Sequence, residues 1–500
     1  MRNKAHRPRP VRPFDPARPD LVWVEDQFVI IGPKKQIQEI MATVAGVRQI
    51  KLLDLPLLEQ AADTCKGLSA FRDKGPIAIE LHQIDRDRST PRDPSLAVRV
   101  VEQINEQAAE KRYAVRADLN YGTVNIGGRP WIGAGSPWIG AGSPWIGAGS
   151  PWTDALIPYK GRMVPSKAFQ GQWALEQIGL MVQGKRIDVQ TGQGVRVGVF
   201  DTSPLDGTGT QTYDEPWMEQ PLTLRVEPLE AFADWPGGTG RRPPPLVDSH
   251  GLFVAGLIHA VAPGTDIHLY PVLNRQGRGT LFTLSAALYQ FIEDVYENPP
   301  QRGAVINLSL GSPVRIRHSL LIDLLAGVQV TREEIAKNLE WIPSLKFILS
   351  AAHCQGIVVA AAAGNRVTEA DQPGAFPEVM AVAASNFGGQ PSCFSSPGDV
   401  LAPGGDGIGG PSCKRPQLAT CPRCWLISLA IQSDDNPMGY AYGIGTSFSA
   451  PLVSGLAALV LDTETEGWVS MSKVISRIKS SAASNDGIIH VPTALRGLEP

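Results

Sequence analysis

Five near-continuous apolar runs separated by helix-like segments constrain the fold of residues 159–500 most strongly. The runs occupy residues 194–201, 265–273, 303–311, 356–365 and 379–385. Strands buried on both faces have this composition, because helices cover both sides of a parallel sheet. Segments between and after these runs have apolar residues at helical spacing: residues 250–261, 280–296 and 447–463. The pattern predicts a doubly wound α/β domain with a mostly parallel sheet and helices on both faces.

Residues 21–122 form a second, smaller unit with a different pattern. Their apolar spacing predicts the order strand, helix, strand, strand, helix, strand, which is typical of a small α+β ferredoxin-like domain. Residues 1–20 precede it and are basic and proline-spaced, which predicts a disordered arm. Contact of this arm with an acidic partner is the alternative.

A repeat joins the two units, and residues 123–158 are interpreted as a linker. The heptapeptide PWIGAGS occurs three times and keeps four tryptophans in register: Trp131, Trp138, Trp145 and Trp152. Glycine and proline in every unit exclude a helix, and the units are too short to bury a core. The repeat is either a duplication that a linker tolerates or a set of aromatic anchors for a protein partner or for the chain itself.

Charge and hydropathy exclude several classes of partner. The 46 Lys and Arg against 49 Asp and Glu leave a net charge of −3, which gives no reason to expect nucleic acid. No segment has the length of a membrane span, so we expect no membrane association. The first residues lack the apolar stretch of a secretory signal, which predicts a cytoplasmic protein.

Four polar residues follow strands or begin helices of the predicted sheet: Asp201, His250, Asn365 and Ser447. In such sheets, functional side chains collect at the carboxyl ends of the strands. Each residue alone has a structural explanation, as a turn residue, a buried histidine or a helix cap. Together they supply an acyl-transfer site with Ser447 as nucleophile, His250 as base and Asp201 as the group that orients the histidine. Asn365 and the backbone N–H of Ser447 can stabilise the oxyanion.

The motifs around these residues resemble those of the subtilases, the subtilisin-like serine endopeptidases. VGVFDTS contains Asp201, DSHGLFVAG contains His250, VVAAAAGN ends at Asn365, and GTSFSAPLVSGLAALVL contains Ser447. NLSLGSP and FSSPGDVLAPG are also similar to segments of the family, and the resemblance covers residues 169–495. It departs at Phe253, where the family usually has a second histidine.

The resemblance implies an endopeptidase that acts on protein or peptide substrates and needs no cofactor for catalysis. It also implies an extended substrate that pairs with backbone segments of the protease. The residues expected to bind it are Ser309, Leu310, Gly311, Gly279, Ala363 and Gly364. The short connection APGT after residue 261 leaves no room for the tight calcium loop of secreted relatives. Residues 21–122 resemble a subtilase prodomain in element order, which makes the chain's own N-terminal domain an expected inhibitor.

Four of the six cysteines cluster between residues 393 and 424: Cys393, Cys413, Cys421 and Cys424. The CPRC spacing is half of a typical structural zinc site. Zinc ligation, disulfides and free thiols all remain open at this point, and a cytoplasmic location disfavours disulfides.

Two other functions compete with the endopeptidase. A catalytically silent, peptide-binding scaffold would have no need for all four site residues. A lipase or esterase of the α/β-hydrolase type would need a GxSxG elbow and the order serine, acid, histidine. This chain has the order Asp201, His250, Ser447, which favours the endopeptidase.

Overall fold

The computed structural model describes fourteen stretches of the chain: residues 23–85, 93, 95–125, 156–159, 172–205, 207–214, 221–228, 246–274, 277–311, 315–316, 339–365, 370–408, 413–464 and 470–496. The basic arm of residues 1–20 and the four tryptophans of the repeat lie outside them. The interpretations of these two segments therefore stay predictions.

The N-terminal domain is a four-stranded antiparallel sheet with helices against it. Its strands are β1 (Trp23–Pro33), β2 (Val47–Asp54), β3 (Ile77–Ile84) and β4 (Arg116–Asn125), and its helices are α1 (Lys34–Met41), α2 (Pro56–Ala61) and α3 (Leu96–Glu110). A 3₁₀ helix spans Lys66–Phe71. The strand order β4-β1-β3-β2 is ferredoxin-like, as the sequence predicted. β4 continues to Asn125, three residues past the predicted boundary of the domain at residue 122.

The C-terminal domain, which contains the candidate catalytic residues and is called the catalytic domain for that reason, is built on an eight-stranded sheet with the order β19-β18-β17-β13-β8-β11-β10-β9. Its strands are β8 (Val195–Phe200), β9 (Gly209–Tyr213), β10 (Leu222–Val226), β11 (Asp266–Tyr270), β13 (Gly303–Leu308), β17 (Val358–Ala362), β18 (Met380–Ser385) and β19 (Val400–Pro403). Every neighbouring pair is parallel except β9 and β10. The predicted doubly wound, mostly parallel sheet is confirmed.

Helices cover both faces of this sheet. They are α4 (Trp173–Gln177), α5 (His250–Val261), α6 (Leu281–Glu297), α7 (Pro343–Cys354), α8 (Thr446–Asp462), α9 (Met471–Ala483) and α10 (Val491–Arg496). Successive strand residues point to opposite faces, so Val305 belongs to one apolar core with α5 and α8, and Ile306 to another with α6 and α7. The N-terminal domain shares this second core.

Short strands complete the fold. They are β5 (Ile157–Pro158), β6 (Met181–Val182), β7 (Lys185–Arg186), β12 (Arg278–Thr280), β14 (Leu310–Gly311), β15 (Arg315–Ile316), β16 (Leu339–Glu340), β20 (Leu426–Leu429) and β21 (Tyr440–Gly443). Two of them extend the N-terminal sheet across the domain boundary: β4 pairs antiparallel with β12 and with β14. The last strand of the N-terminal domain therefore lies between two segments of the catalytic domain.

Further contacts hold the two domains together. The amide of Leu57 donates a hydrogen bond to the hydroxyl of Tyr289 on α6 (3.0 Å). The side-chain oxygen of Asn120 accepts one from the amide of Phe282 in the first turn of α6 (3.2 Å). Such a bond satisfies a helix N–H that has no partner within its own helix.

Three disulfides pair all six cysteines: Cys65–Cys354, Cys393–Cys413 and Cys421–Cys424. The first joins the N-terminal domain to the end of α7. In the ranges given above, no helix combines the length and the apolar character needed to cross a membrane.

Candidate active site

Asp201 and His250 form a buried pair at the carboxyl end of β8. Asp201 directly follows that strand, and His250 begins α5. The two carboxylate oxygens lie 2.9 and 2.8 Å from Nδ1 of the imidazole. Both side chains are at most 1% exposed. A carboxylate in this position fixes which ring nitrogen carries the proton, so that Nε2 can act as a base.

The backbone around the pair holds the strand end against the start of α5. The hydroxyl of Thr202 accepts a hydrogen bond from the amide of Gly251 (3.1 Å) and lies 3.2 Å from the carbonyl oxygens of Val247 and Asp248. A Cβ atom at position 251 would lie 2.2 Å from the carbonyl oxygen of Thr202. Glycine therefore permits this close approach of helix and strand. Burial raises the pKa of the nearby Asp248 carboxyl.

Ser447 lies in the first turn of α8, directly after Gly445 and Thr446. It is buried, and its Oγ atom has no hydrogen-bond partner within the described ranges. Its carbonyl oxygen accepts a hydrogen bond from Oγ of Ser309 (2.7 Å), which in turn accepts one from the side-chain amide of Asn307 (3.0 Å). The carbonyl group of Ser447 is therefore held by a hydrogen bond, while its hydroxyl remains available for reaction.

Asn365 follows β17, and its side-chain oxygen is bound to the residue before Ser447. This Oδ1 atom accepts hydrogen bonds from the amide (2.9 Å) and the hydroxyl (3.0 Å) of Thr446. Because both bonds go to the oxygen, they fix the rotation of the amide group and direct its N–H donors away from Thr446. An amide held in this way can donate to an oxyanion without reorganising.

An aromatic contact joins the two halves of the site. The ring centroids of His250 and Phe448, the residue after Ser447, are 5.2 Å apart. Phe448 also packs on Phe253 at 4.5 Å. Phe253, where the sequence departs from the family pattern, is therefore a core residue that supports the imidazole through Phe448.

The predicted substrate-binding segments pair with the chain's own strand β4. Gly279 is opposite Thr123, Gly311 is opposite Val124, and Leu310 is opposite Asn125. The remaining three predicted residues bond within the catalytic domain: Ser309 to Ser447, Ala363 to Val382, and Gly364 to Thr446. Binding of a substrate by these six residues stays a prediction.

The four clustered cysteines do not form the zinc site that the sequence left open. The structure joins Cys393 to Cys413 and Cys421 to Cys424. Zinc is bound by thiolates, and sulfurs joined in a disulfide cannot supply them. Among the described residues, no group of three or more His, Cys, Asp or Glu side chains could hold a metal ion. The disulfide alternative replaces zinc, and the absence of a calcium loop stays a prediction.

Asp371, to which the sequence analysis assigns no role, lies beside the site. The Asp371 side chain is buried, and its amide donates to the carbonyl of Ala363. Ser396, which the sequence did not single out, is also buried and donates its amide to the carbonyl of Gly364 (2.8 Å). Asp371 lies six residues after Asn365, and Ser396 comes from a segment about thirty residues after Asn365, so neither is recognised from a local pattern.

Comparison with known proteins supports the same assignment of the motifs. The subtilase family model matches residues 192–492, which is more than half of the chain. An intracellular serine protease of Paenibacillus polymyxa is 29% identical over 302 residues, which are 56% of this chain and 71% of that protein. Subtilisin E of Bacillus subtilis is 28% identical over 251 residues, which are 47% of this chain and 50% of that protein.

A solved structure shows a more distant likeness. The crystal structure of a lanthipeptide protease matches 67% of this chain and 94% of its own, with 19% sequence identity and a TM-score of 0.44.

Proposed function

The chain belongs to the subtilase family of serine endopeptidases, and on that premise we propose that it hydrolyses peptide bonds through Ser447, His250 and Asp201. The observation that carries the proposal is the buried contact between His250 and Asp201, 2.8 Å from Nδ1 to Oδ2. Burying a histidine beside a carboxylate costs free energy. Such pairs are common at functional sites, where they serve acid–base chemistry, here on the hydroxyl of Ser447.

Each residue has a defined role in the proposed reaction. Oγ of Ser447 attacks the carbonyl carbon of the peptide bond while Nε2 of His250 takes its proton. The imidazolium that forms is stabilised by Asp201 and then gives the proton to the leaving amine. Water repeats the sequence on the acyl-enzyme and regenerates the Ser447 hydroxyl.

We further propose that Asn365 and the backbone N–H of Ser447 stabilise the oxyanion. The two hydrogen bonds from Thr446 to Oδ1 of Asn365 support this role, because they set the amide orientation before substrate arrives. Preorganised donors act more strongly than mobile ones, since no reorganisation is needed during the reaction.

The N-terminal domain is proposed to inhibit this site by strand addition. β4 pairs with both β12 and β14, where the resemblance implies that substrate binds. A peptide that must pair with the same backbone groups competes directly with β4. The burial of Asp201, His250 and Ser447 supports the same proposal, because a buried nucleophile does not reach a substrate in solution.

The proposal is tested by peptide hydrolysis with the full chain and a Ser447→Ala variant. A denatured protein substrate and a mixture of peptides are incubated with each protein, and the products are identified by mass spectrometry. We expect slow internal cleavage by the wild type, because β4 must separate before substrate binds, and none by the variant. Binding of peptides by both proteins without cleavage by either would favour the catalytically silent scaffold.

A further inference from the structure

Two adjacent strands of the sheet separate next to the site. β13 and β17 are paired in parallel as far as Leu308 and Ala361. Beyond that point β14 pairs with β4, while β17 ends at Ala362 and the chain runs on to Asn365. Crevices at the carboxyl ends of diverging parallel strands are the usual ligand sites of such sheets.

In the proposed reaction, the space between these diverging strands receives a substrate side chain. It belongs to the residue whose carbonyl is attacked, which is called P1. The carbonyl oxygen of P1 must reach Asn365, and the P1 backbone must pair with β14. Its side chain then enters between β14 and the segment from Ala362 to Gly364. The chemistry along this segment decides which side chain is accepted.

At the end of the segment from Ala362 to Gly364, the carboxylate of Asp371 and the hydroxyl of Ser396 both lie close to Gly364. A Cβ atom built on Gly364 would lie 2.7 Å from Oδ2 of Asp371 and 3.2 Å from Oγ of Ser396. Both polar side chains are at least nine-tenths buried, at 4% and 1% exposure. Oγ of Ser396 has no hydrogen-bond partner within the ranges that the structure describes.

Gly364 is what allows these groups to lie against the segment. Its φ of +112° is rarely adopted by residues with a side chain. A side chain there would also collide with the Asp371 carboxylate. The absence of a side chain at Gly364 thus leaves room for the carboxylate of Asp371 and the hydroxyl of Ser396.

We propose that Asp371, assisted by Ser396, selects a basic residue, arginine or lysine, as P1. The inference rests on the proposed endopeptidase function and adds its substrate class. A buried carboxylate pairs favourably with a guanidinium or ammonium group that enters a desolvated pocket, and the hydroxyl of Ser396 accepts a further N–H. A neutral P1 side chain of equal size lacks this attraction between opposite charges.

The test compares peptides that differ only at P1, with arginine, lysine, leucine or citrulline, the neutral isostere of arginine. For the wild type, we expect kcat/KM to be about 100-fold higher for arginine than for citrulline, in line with the loss of a buried charge partner. Asp371→Asn should bring the ratio close to one, and Asp371→Glu should preserve a preference for arginine. Ser396→Ala should lower the ratio only several-fold. If β4 slows hydrolysis, the same panel is measured on a Thr123→Pro background.

Asp435→Asn is the matched control, because it removes an exposed carboxylate outside the pocket and should leave the ratio unchanged. Equal cleavage of the arginine and citrulline peptides by the wild type would overturn the inference. So would labelling of Ser447 by a fluorophosphonate together with cleavage after leucine alone. Absence of both labelling and cleavage would instead refute the proposed function itself, and the inference with it.

The disulfide between Cys65 and Cys354, which joins the two domains, supports a second and independent inference. Cys65 precedes the 3₁₀ helix Lys66–Phe71 of the N-terminal domain, and Cys354 is the last residue of α7. The two half-cystines are 289 residues apart in sequence. A backbone cut between Asn125 and Ile157 would therefore give two fragments that stay covalently joined.

We infer that this disulfide keeps the N-terminal domain on the catalytic domain after the connecting chain is cut, so that cleavage alone does not relieve inhibition. A tethered inhibitor acts at a high effective concentration that dilution of the enzyme does not change. Without the disulfide, inhibition by the same domain would become bimolecular and would weaken on dilution.

The experiment replaces residues 137–143 with the recognition sequence of a site-specific protease and cuts the chain there. Specific activity of the cut protein is then measured over a thousandfold range of dilution. With the disulfide intact, we expect a constant, low specific activity. In a Cys65→Ser, Cys354→Ser double variant, specific activity should rise as the protein is diluted.

A Cys421→Ser, Cys424→Ser variant, which removes a disulfide within the catalytic domain, should behave like the wild type. The inference fails if the cut wild type gains activity on dilution to the same extent as the Cys65→Ser, Cys354→Ser variant. It also fails if denaturing electrophoresis without reductant separates the cut wild type into two fragments.

Discussion

Nδ1 of His250 lies 2.8 Å from Oδ2 of Asp201, at the point where β8 ends and α5 begins. The pair is connected to the rest of the site through α8, which contains both Thr446 and Phe448. Phe448 packs against the imidazole ring, and Thr446 binds the side chain of Asn365. Residues from four distant parts of the chain thereby form one constellation, and each can be tested separately.

Replacing Asp201 by asparagine should lower kcat by about 10⁴-fold, because the amide stabilises the wrong histidine tautomer and cannot stabilise the imidazolium. Steady-state hydrolysis of a peptide at neutral pH measures the change. Asp435→Asn serves as the control for loss of one negative charge. A decrease of less than tenfold in Asp201→Asn would show that the pair does not serve catalysis.

Replacing Asn365 by alanine should lower kcat by about 10²- to 10³-fold with little change in KM, because the lost donor acts on the transition state. Separate determination of kcat and KM distinguishes this from weaker substrate binding. If KM rises while kcat is preserved, Asn365 binds the substrate and does not stabilise an oxyanion.

Replacing Thr123 by proline should raise the hydrolysis rate of the full chain. Proline removes a backbone donor from β4 at the position opposite Gly279, which weakens the pairing with the catalytic domain. Ile50→Pro is the control, because Ile50 has no partner across the irregularity in the pairing of β2 with β3. Equal rates for the wild type and Thr123→Pro would contradict inhibition by strand addition.

His268 should make folding stability depend on pH. Its imidazole lies 2.9 Å from Glu227 and 2.8 Å from Asp266. Although burial alone would lower the pKa of His268, its hydrogen bonds to these two carboxylates raise it above 6.5. Its stabilising contribution is therefore complete below pH 6.5 and is lost as pH rises through the folded-state pKa.

Urea unfolding of the wild type and His268→Gln between pH 5 and 9 measures this effect. We expect the difference in the free energy of unfolding to be largest at low pH and to shrink as pH rises. His490 is the contrasting control, because burial lowers its pKa. Its contribution to the free energy of unfolding should therefore increase, and not decrease, as pH rises. A pH-independent difference for His268→Gln would contradict the assignment.

The sequence predicted the parallel sheet and its helices closely. The predicted helix at residues 250–261 is observed as α5, and the apolar run at 379–385 contains β18. These elements are buried on all sides, so their composition reports the fold directly. The order of Asp201, His250 and Ser447 could be found for the same reason, since each follows or begins such an element.

Features that depend on tertiary contacts could not be predicted. Cys65 and Cys354 pair across the domain boundary, and sequence spacing does not determine disulfide connectivity. The sequence left zinc, disulfides and free thiols open for the other four cysteines, because CxxC spacing is compatible with either a metal or a disulfide, and the structure shows disulfides. Three disulfides are typical of an oxidising compartment. They disagree with the expectation that a cytoplasmic location would disfavour disulfides. Asp371 is buried beside Gly364 because the loop after β17 returns to the sheet, a contact that its position in the sequence does not indicate.

The most direct test of the central claim is the site of reaction with a fluorophosphonate. The Thr123→Pro chain is treated with the reagent and digested, and the modified residue is identified by tandem mass spectrometry. We predict one adduct per chain, on Ser447, with no adduct in the corresponding His250→Ala protein, because the hydroxyl needs the base to react. A folded chain that gives no adduct, or an adduct on another serine, would contradict the assignment of Ser447 as the nucleophile.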